Sequence, residues 1–107
     1  LCTYLKTMKR RYNKEHNYWR DCVLERDECC VICQKGPPYL NAHHLIPNNF
    51  KKYSFNIDNG LTLCAGCHTL GRYSAHKHPI WFSNWLKKYR PITYLQVVER
   101  IEELQND

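Results

Sequence analysis

Apolar positions along the chain change period several times, and each change marks an element. In residues 16–27 (HNYWRDCVLERD), Tyr18, Trp19, Cys22, Val23 and the stem of Arg26 recur at helical spacing. They predict an amphipathic helix whose expected job is to cover the cysteine-bearing turn after it. Tyr39 to Ile46 has strand composition and is stopped by Pro47-Asn48-Asn49. Residues 48–60 are polar and turn-rich, as a loop would be, and Leu61-Thr62-Leu63-Cys64 is a short second strand, expected antiparallel to the first. A short helix should start at Ala65, carry Cys67, His68 and Leu70, and end or kink at Gly71. After a second loop from Arg72 to His78, Pro79 suits a first helical turn. Trp81, Phe82, Trp85, Leu86 and Tyr89 then mark one face of a helix to about residue 89. Pro91 breaks it, and Thr93 with Gln96 reads as a capping box for a last helix. Its stripe of Tyr94, Val97, Val98, Ile101 and Leu104 belongs to packing, within the chain or across a homodimer interface. The class is α+β, a strand–loop–strand–helix core flanked by N- and C-terminal helices.

The 107 residues are expected to form one domain, with a core over 16–76 and a helical pair over 79–106. A chain this short gains from a staple. Lys and Arg total 16 against 10 Asp and Glu, and the pI is about 9.0, a balance that favours a polyanionic partner, nucleic acid first. Lys6, Lys9, Arg10, Arg11 and Lys14 surround Tyr4, Leu5, Met8 and Tyr12 near the start. Two readings stay open there: a solvated, frayed helix, or an arm that lies on phosphates. No apolar run approaches the ~20 residues of a membrane span. The first residue is Leu rather than Met, as expected of a trimmed chain or a fragment.

Seven cysteines raise the question of disulfides. Four of them form two Cys-x-x-Cys pairs, Cys30-Val-Ile-Cys33 and Cys64-Ala-Gly-Cys67, which is metal spacing, and the residues at hand carry no secretory leader. Four thiolates give zinc a closed tetrahedral shell with no position for water, hence a structural site suited to a reducing, cytoplasmic compartment. Gly36 is expected to supply the permissive backbone of the first turn, before the stiff Pro37-Pro38. Cys29 is an alternative to Cys30 with a poorer gap; Cys2, Cys22 and Cys29 otherwise read as small packing residues.

The histidines form a second set. Adjacent helical residues differ by about 100° in direction, so Cys67 can face the zinc while His68 faces away. His43 and His68 can then hold a second, open metal, leaving room for water and phosphate, and His44 can serve as general base. Successive strand residues face opposite sides, so His43 and His44 share one spot only if the strand end twists. Asn59 before Gly60 reads either as a turn former or as an amide that pins the loop and orients His44.

His43-His44, then Asn59-Gly60-Leu61-Thr62-Leu63-Cys64, then Cys67-His68 resembles the signature of the HNH endonucleases, nucleases with a ββα-metal site, and the two Cys-x-x-Cys pairs match their zinc-bearing subset. The resemblance spans about residues 19–76. Ser74-Ala75-His76-Lys77-His78-Pro79 with Trp81-Phe82 and Trp85-Leu86 further resembles small HNH proteins of bacteriophages. It implies His43 and His68 as ligands of a catalytic divalent ion, His44 as the base activating water, and Asn59 as support for the loop. A further ligand usually follows a few residues on; here His76 is the nearest candidate, then His78, while His16 matches nothing in the motif. Mg²⁺ or Mn²⁺ is the implied working ion, with Zn²⁺ or Ni²⁺ as alternatives at imidazoles. DNA is the implied substrate, cut to 5′-phosphate and 3′-hydroxyl ends, with RNA using the same site as a variant reading. Lys51, Lys52 and Arg72 flank the site as candidate phosphate contacts. Phage packaging or other DNA-processing proteins are the implied partners, in the cytoplasm of a bacterial host if the source is viral. The competing reading is a non-catalytic zinc-stabilised DNA-binding module, which has no need for those histidines together with Asn59.

Overall fold

The structure, a computed structural model, describes residues 14–106. The basic segment read as an arm lies, up to residue 13, outside the described residues. Helix α1 (Lys14–Asp27) precedes strand β1 (Leu40–His44), strand β2 (Gly60–Cys64), a five-residue π-helical turn (Gly66–Leu70), helix α2 (Pro79–Tyr89) and helix α3 (Pro91–Asn106). The fold is α+β, as expected.

The two strands pair antiparallel, from Leu40 opposite Cys64 to His44 opposite Gly60. The first strand is shorter than the span 39–46. Tyr39 has a φ of 68°, which no strand residue can keep, and beyond His44 the Ile46 backbone is taken by the Asn59 side chain. The connecting loop is more ordered than its composition implied, with 3₁₀ turns at Lys51–Tyr53 and Ile57–Asn59.

Directly opposed residues of an antiparallel pair share a face, so His44 and Gly60 lie on one side and His43 and Leu61 on the other. Helix α1 covers the first side. Trp19 and Val23 are fully buried there, the Thr62 hydroxyl donates to the Val23 carbonyl (3.2 Å), and the Thr62 N–H donates to Asp27 (2.9 Å). The expectation that α1 covers the cysteine turn is therefore corrected: the slot left by a glycine at 60 is where its indole fits. On the other side, Leu61 and Leu63 join Cys30, Val31, Ala75, Phe82 and Leu86 in the core.

Helix α2 buries Phe82 and Leu86 and half-buries Trp81 and Trp85, but Tyr89, expected on the same face, is exposed. Helix α3 begins at Pro91, so Thr93 lies inside its first turn and the expected capping box does not open it. Proline lacks the N–H that a first helical residue leaves unbonded in any case. Helix α3 is tied to the inter-strand loop by polar contacts. Arg100 donates twice to Asp58 (2.9 Å each), and Glu103 accepts from the Tyr53 hydroxyl (2.8 Å) and from Lys52. Among the described residues, no helix is long and apolar enough to cross a membrane.

Two stability predictions follow from this packing. A Cβ at position 60 would lie 2.6 Å from the Trp19 ring and 2.8 Å from Val23. Gly60→Ala should therefore cost about 1–3 kcal/mol in urea unfolding. For Asp27, burial opposes ionisation, but Arg26 and the Thr62 N–H outweigh it and hold the carboxyl below its usual 3.8. Its contribution is present above that range and lost as pH falls through the lowered value. The stability gap between wild type and Asp27→Asn should be open at about pH 6 and close on acidification.

Candidate functional site

The ends of the hairpin carry two different donor sets. Cys30, Cys33, Cys64 and Cys67 bring their four sulfurs within 4.8 Å of one another, with Cys33 and Cys64 at 3.5 Å. A tetrahedral zinc at Zn–S of about 2.3 Å holds its sulfurs roughly 3.8 Å apart, so the four-cysteine cluster is compatible with zinc. Cys29 stands outside it, directing its thiol to Gln34 (3.4 Å). The left-handed residue of the first turn is Gln34, with φ 68°, and not Gly36. Its N–H donates to the Cys30 carbonyl (2.9 Å) while the Cys30 N–H donates to Lys35 (2.9 Å), so two backbone bonds offset the strain of a side chain there. Burial raises the Cys33 and Cys67 thiols; at Cys64 burial is outweighed by the Cys67 N–H and the neighbouring thiols, which bring it to about 7.

On the other side of the π turn, His43, His68 and His76 offer ring nitrogens that also lie within 4.8 Å of one another. The His68 and His76 Nε2 atoms are 3.1 Å apart. Imidazole nitrogens ~2.1 Å from one ion sit roughly 3.0–3.4 Å apart, so the trio fits a single divalent cation with positions to spare. His43 is fixed by Phe82, whose ring meets it edge-on at 5.2 Å. Burial first, then the charges of His68, His76 and His44, press its pKa down to about 3; burial and His76 also lower that of His68. Both imidazoles are thus neutral at neutral pH, the form that binds metal. His76 arrives by an unexpected route. The chain doubles back so that the Ala75 N–H donates to Cys67 (2.8 Å) and the His76 N–H to His68 (3.1 Å).

His44 leaves the strand toward α1. Its ring stacks on Trp19 at 3.8 Å and 11°, and its Nε2 lies 3.1 Å from the Ser54 carbonyl. A carbonyl only accepts, so Nε2 carries the hydrogen and Nδ1 keeps its lone pair. Burial lowers the pKa, Ser54 works against it, and His16 and Lys51 lower it further. The loop that presents Ser54 is held by Asn59, which is fully buried: its Oδ1 accepts from the Ile46 N–H (2.9 Å) and its Nδ2 donates to the Ile46 carbonyl (3.2 Å). Asn59 touches the loop two residues after His44, not the imidazole itself. Sequence reasoning missed Trp19, Ser54 and His16, whose ring is 5.7 Å from that of His44. Nothing in the signature marks them; the side-chain-free position opposite His44 was the available hint for Trp19.

His43, His44, His68 and His76 all line one cleft of about 680 Å³, whose far wall is apolar, with Tyr94, Val97 and Val98 of α3. Of the three basic candidates, Lys51 and Arg72 are exposed, while Lys52 is engaged with Glu103.

A hairpin followed by a short helical turn, with thiols to one side and imidazoles to the other, has the ββα order of a metal-site nuclease fold. The profile of the HNH endonuclease family matches residues 30–70. Anaredoxin of Nostoc sp. (strain PCC 7120 / SAG 25.82 / UTEX 2576) is 38% identical over 64 residues, covering 59% of this chain and 80% of that protein. No solved structure matches the chain. The chain belongs to the HNH endonuclease family.

The four-sulfur set makes a direct prediction. Metal analysis of the purified protein should find one zinc that survives dialysis, and a strong chelator should unfold the domain, since such a site contributes on the order of 10 kcal/mol to folding. Cys30→Ser should lose both the zinc and the far-ultraviolet dichroism of the native state.

Proposed function

We propose that this protein is a metal-dependent endonuclease that hydrolyses phosphodiester bonds in DNA. One observation carries this reading: three imidazoles converge at one wall of a cleft that His44, with its Nδ1 lone pair, also lines. His43, His68 and His76 would hold one divalent cation. Three nitrogens without a carboxylate suit Ni²⁺ or Zn²⁺ better than Mg²⁺ or Mn²⁺, which favours the alternatives at imidazoles over the expected Mg²⁺ or Mn²⁺. When bound, the ion supplies Lewis-acid stabilisation of charge on the scissile phosphate and the leaving 3′ oxygen.

The chain's own groups do the rest. His44 takes a proton from water at Nδ1 while its Nε2–H stays on the Ser54 carbonyl, and the Trp19 ring beneath it fixes the plane of the imidazole. Asn59 keeps the loop, and so the Ser54 carbonyl, in place. Lys51 and Arg72 are exposed and available to backbone phosphates, contacts that give salt-dependent binding with little sequence selectivity. Thiolate zinc sites persist in reducing surroundings, which supports a cytoplasmic protein.

A redox role for the two Cys-x-x-Cys pairs, which the name anaredoxin brings to mind, is less well supported. Four sulfurs gathered at one point favour a closed ion shell over a single exchanging pair.

The experiment is plasmid cleavage across Mg²⁺, Mn²⁺, Ni²⁺ and Zn²⁺. Nicked or linear product should appear with at least one ion and vanish with EDTA. His44→Ala should slow cutting about 10²–10⁴-fold with zinc content and fold unchanged. Cutting at full rate by that variant would move the base elsewhere, and no cutting with any ion would favour the non-catalytic DNA-binding module.

A further inference from the structure

All acidic residues of the chain lie within 15–28, at 58, or from 99 onward, so residues 59–98 contain none. That stretch carries His68 and His76 and the cations Arg72, Lys77, Lys87, Lys88 and Arg90. From the second strand to the middle of α3 the chain therefore contributes only neutral or positive side chains, a distribution that suits a polyanion.

Within it, the loop from Gly71 to His78 has a feature the hydrolytic reading leaves unexplained. Its backbone is fixed by several bonds: Gly71 N–H to Gly66 (2.8 Å), Ala75 N–H to Cys67 (2.8 Å), His76 N–H to His68 (3.1 Å) and His78 N–H to Ser74 (2.8 Å). Ser74 and Ala75 are buried, and the Ser74 hydroxyl accepts from the Lys77 N–H (3.2 Å). Yet this rigid loop holds Tyr73 out to solvent, 57% exposed. The Tyr73 ring lies over that of His78 at 5.6 Å and 18°, and it is 5.9 Å from Trp81. An aromatic ring ordered in this way but left wet forgoes the free energy of burial. Arg72 beside it has no hydrogen-bonding or ionic partner among the described residues. Lys77 uses one of its three donors on the Leu70 carbonyl (3.1 Å). Pro79 and Phe82, directly after the loop, line the cleft together with His43, His68 and His76, so ledge and cleft are continuous.

Ordered aromatic faces among cations are how proteins hold unpaired strands: every base offers a π-face, whereas in a duplex those faces are occupied by neighbouring bases. The cleft points the same way. At about 680 Å³ it falls in the ~300–1,000 Å³ class of small-ligand sites. We infer that loop 71–78 is a stacking ledge for an unpaired nucleotide of DNA beside the scissile phosphate, with Tyr73 under the base and Arg72 and Lys77 on the flanking phosphates. The substrate class is then single-stranded, flapped or gapped DNA in preference to an intact duplex. This choice of substrate rests on the nuclease reading of the histidine site, but the ledge itself is tested by binding.

The test is fluorescence anisotropy with the zinc-loaded full chain, no other divalent ion added, on one labelled oligonucleotide as a single strand and as a duplex. The single strand should bind more tightly. Tyr73→Ala should weaken it about tenfold and leave duplex binding nearly unchanged, while Tyr73→Phe, which keeps the ring, should bind as wild type does. Dichroism and zinc content of each variant report folding. Single-strand binding by Tyr73→Ala at wild-type strength, or equal loss on both forms of the DNA, would overturn the ledge. Cleavage of the same single strand and of plasmid, run alongside with each of Mg²⁺, Mn²⁺, Ni²⁺ and Zn²⁺, separates the two ideas. Tyr73-dependent binding without cutting supports the ledge and removes the nuclease reading, whereas cutting by a protein whose binding ignores Tyr73 removes the ledge alone.

Discussion

Two neighbouring residues of a β-strand cannot face the same way, and the site is built on that restriction. His43 and His44 occupy consecutive positions of β1, so one imidazole leaves toward α2 and the other toward α1. The sheet between them is only two strands wide, and each face needs its own cover. Phe82 backs the first histidine; the indole of Trp19 backs the second. The close approach of that indole is permitted because the residue across from His44 is a glycine. Both rings still line one cleft, because His44 is the last residue of its strand.

A two-stranded hairpin of this size is marginal in water by itself. Three devices hold it here. Helix α1 is bonded to Thr62 through Val23 and Asp27, the apolar cluster around Leu63 closes the opposite face, and the four sulfurs gather the far end. The sulfur cluster and the histidine trio share the π turn, where Cys67 and His68 are adjacent. Rigidity imposed on one residue is passed to the next, so the sulfur cluster and the histidine trio are mechanically coupled although they share no residue.

Much of this was legible in the sequence, for reasons that also mark where legibility stops. Strand alternation, proline punctuation and paired cysteines are local, and they gave the element order, the antiparallel hairpin and the four-sulfur cluster. The juxtaposition of His43 and His68 followed from the family signature. What depended on distant partners was not readable. Helix α1 packs on the hairpin because of a glycine over thirty residues away. Gln34 takes the left-handed position because two backbone bonds outweigh side-chain strain. Thr93 looked like a cap although Pro91 had already started the helix. Lys52 looked available and is engaged by Glu103, which lies 51 residues on. The convergence of His76 on the other two histidines needed a chain reversal that no periodicity announces.

That reversal has a wider meaning. On a regular helix, donors that share an ion must recur every three or four residues, and any insertion turns one of them away. Here the third imidazole is delivered by a side excursion whose two ends are clipped together through Cys67 and His68. The entropic penalty of such an excursion grows only with the logarithm of its length. The clip rather than helical spacing fixes the third imidazole, so the exposed tip at Arg72 and Tyr73 is at liberty to vary in sequence while the trio stays put.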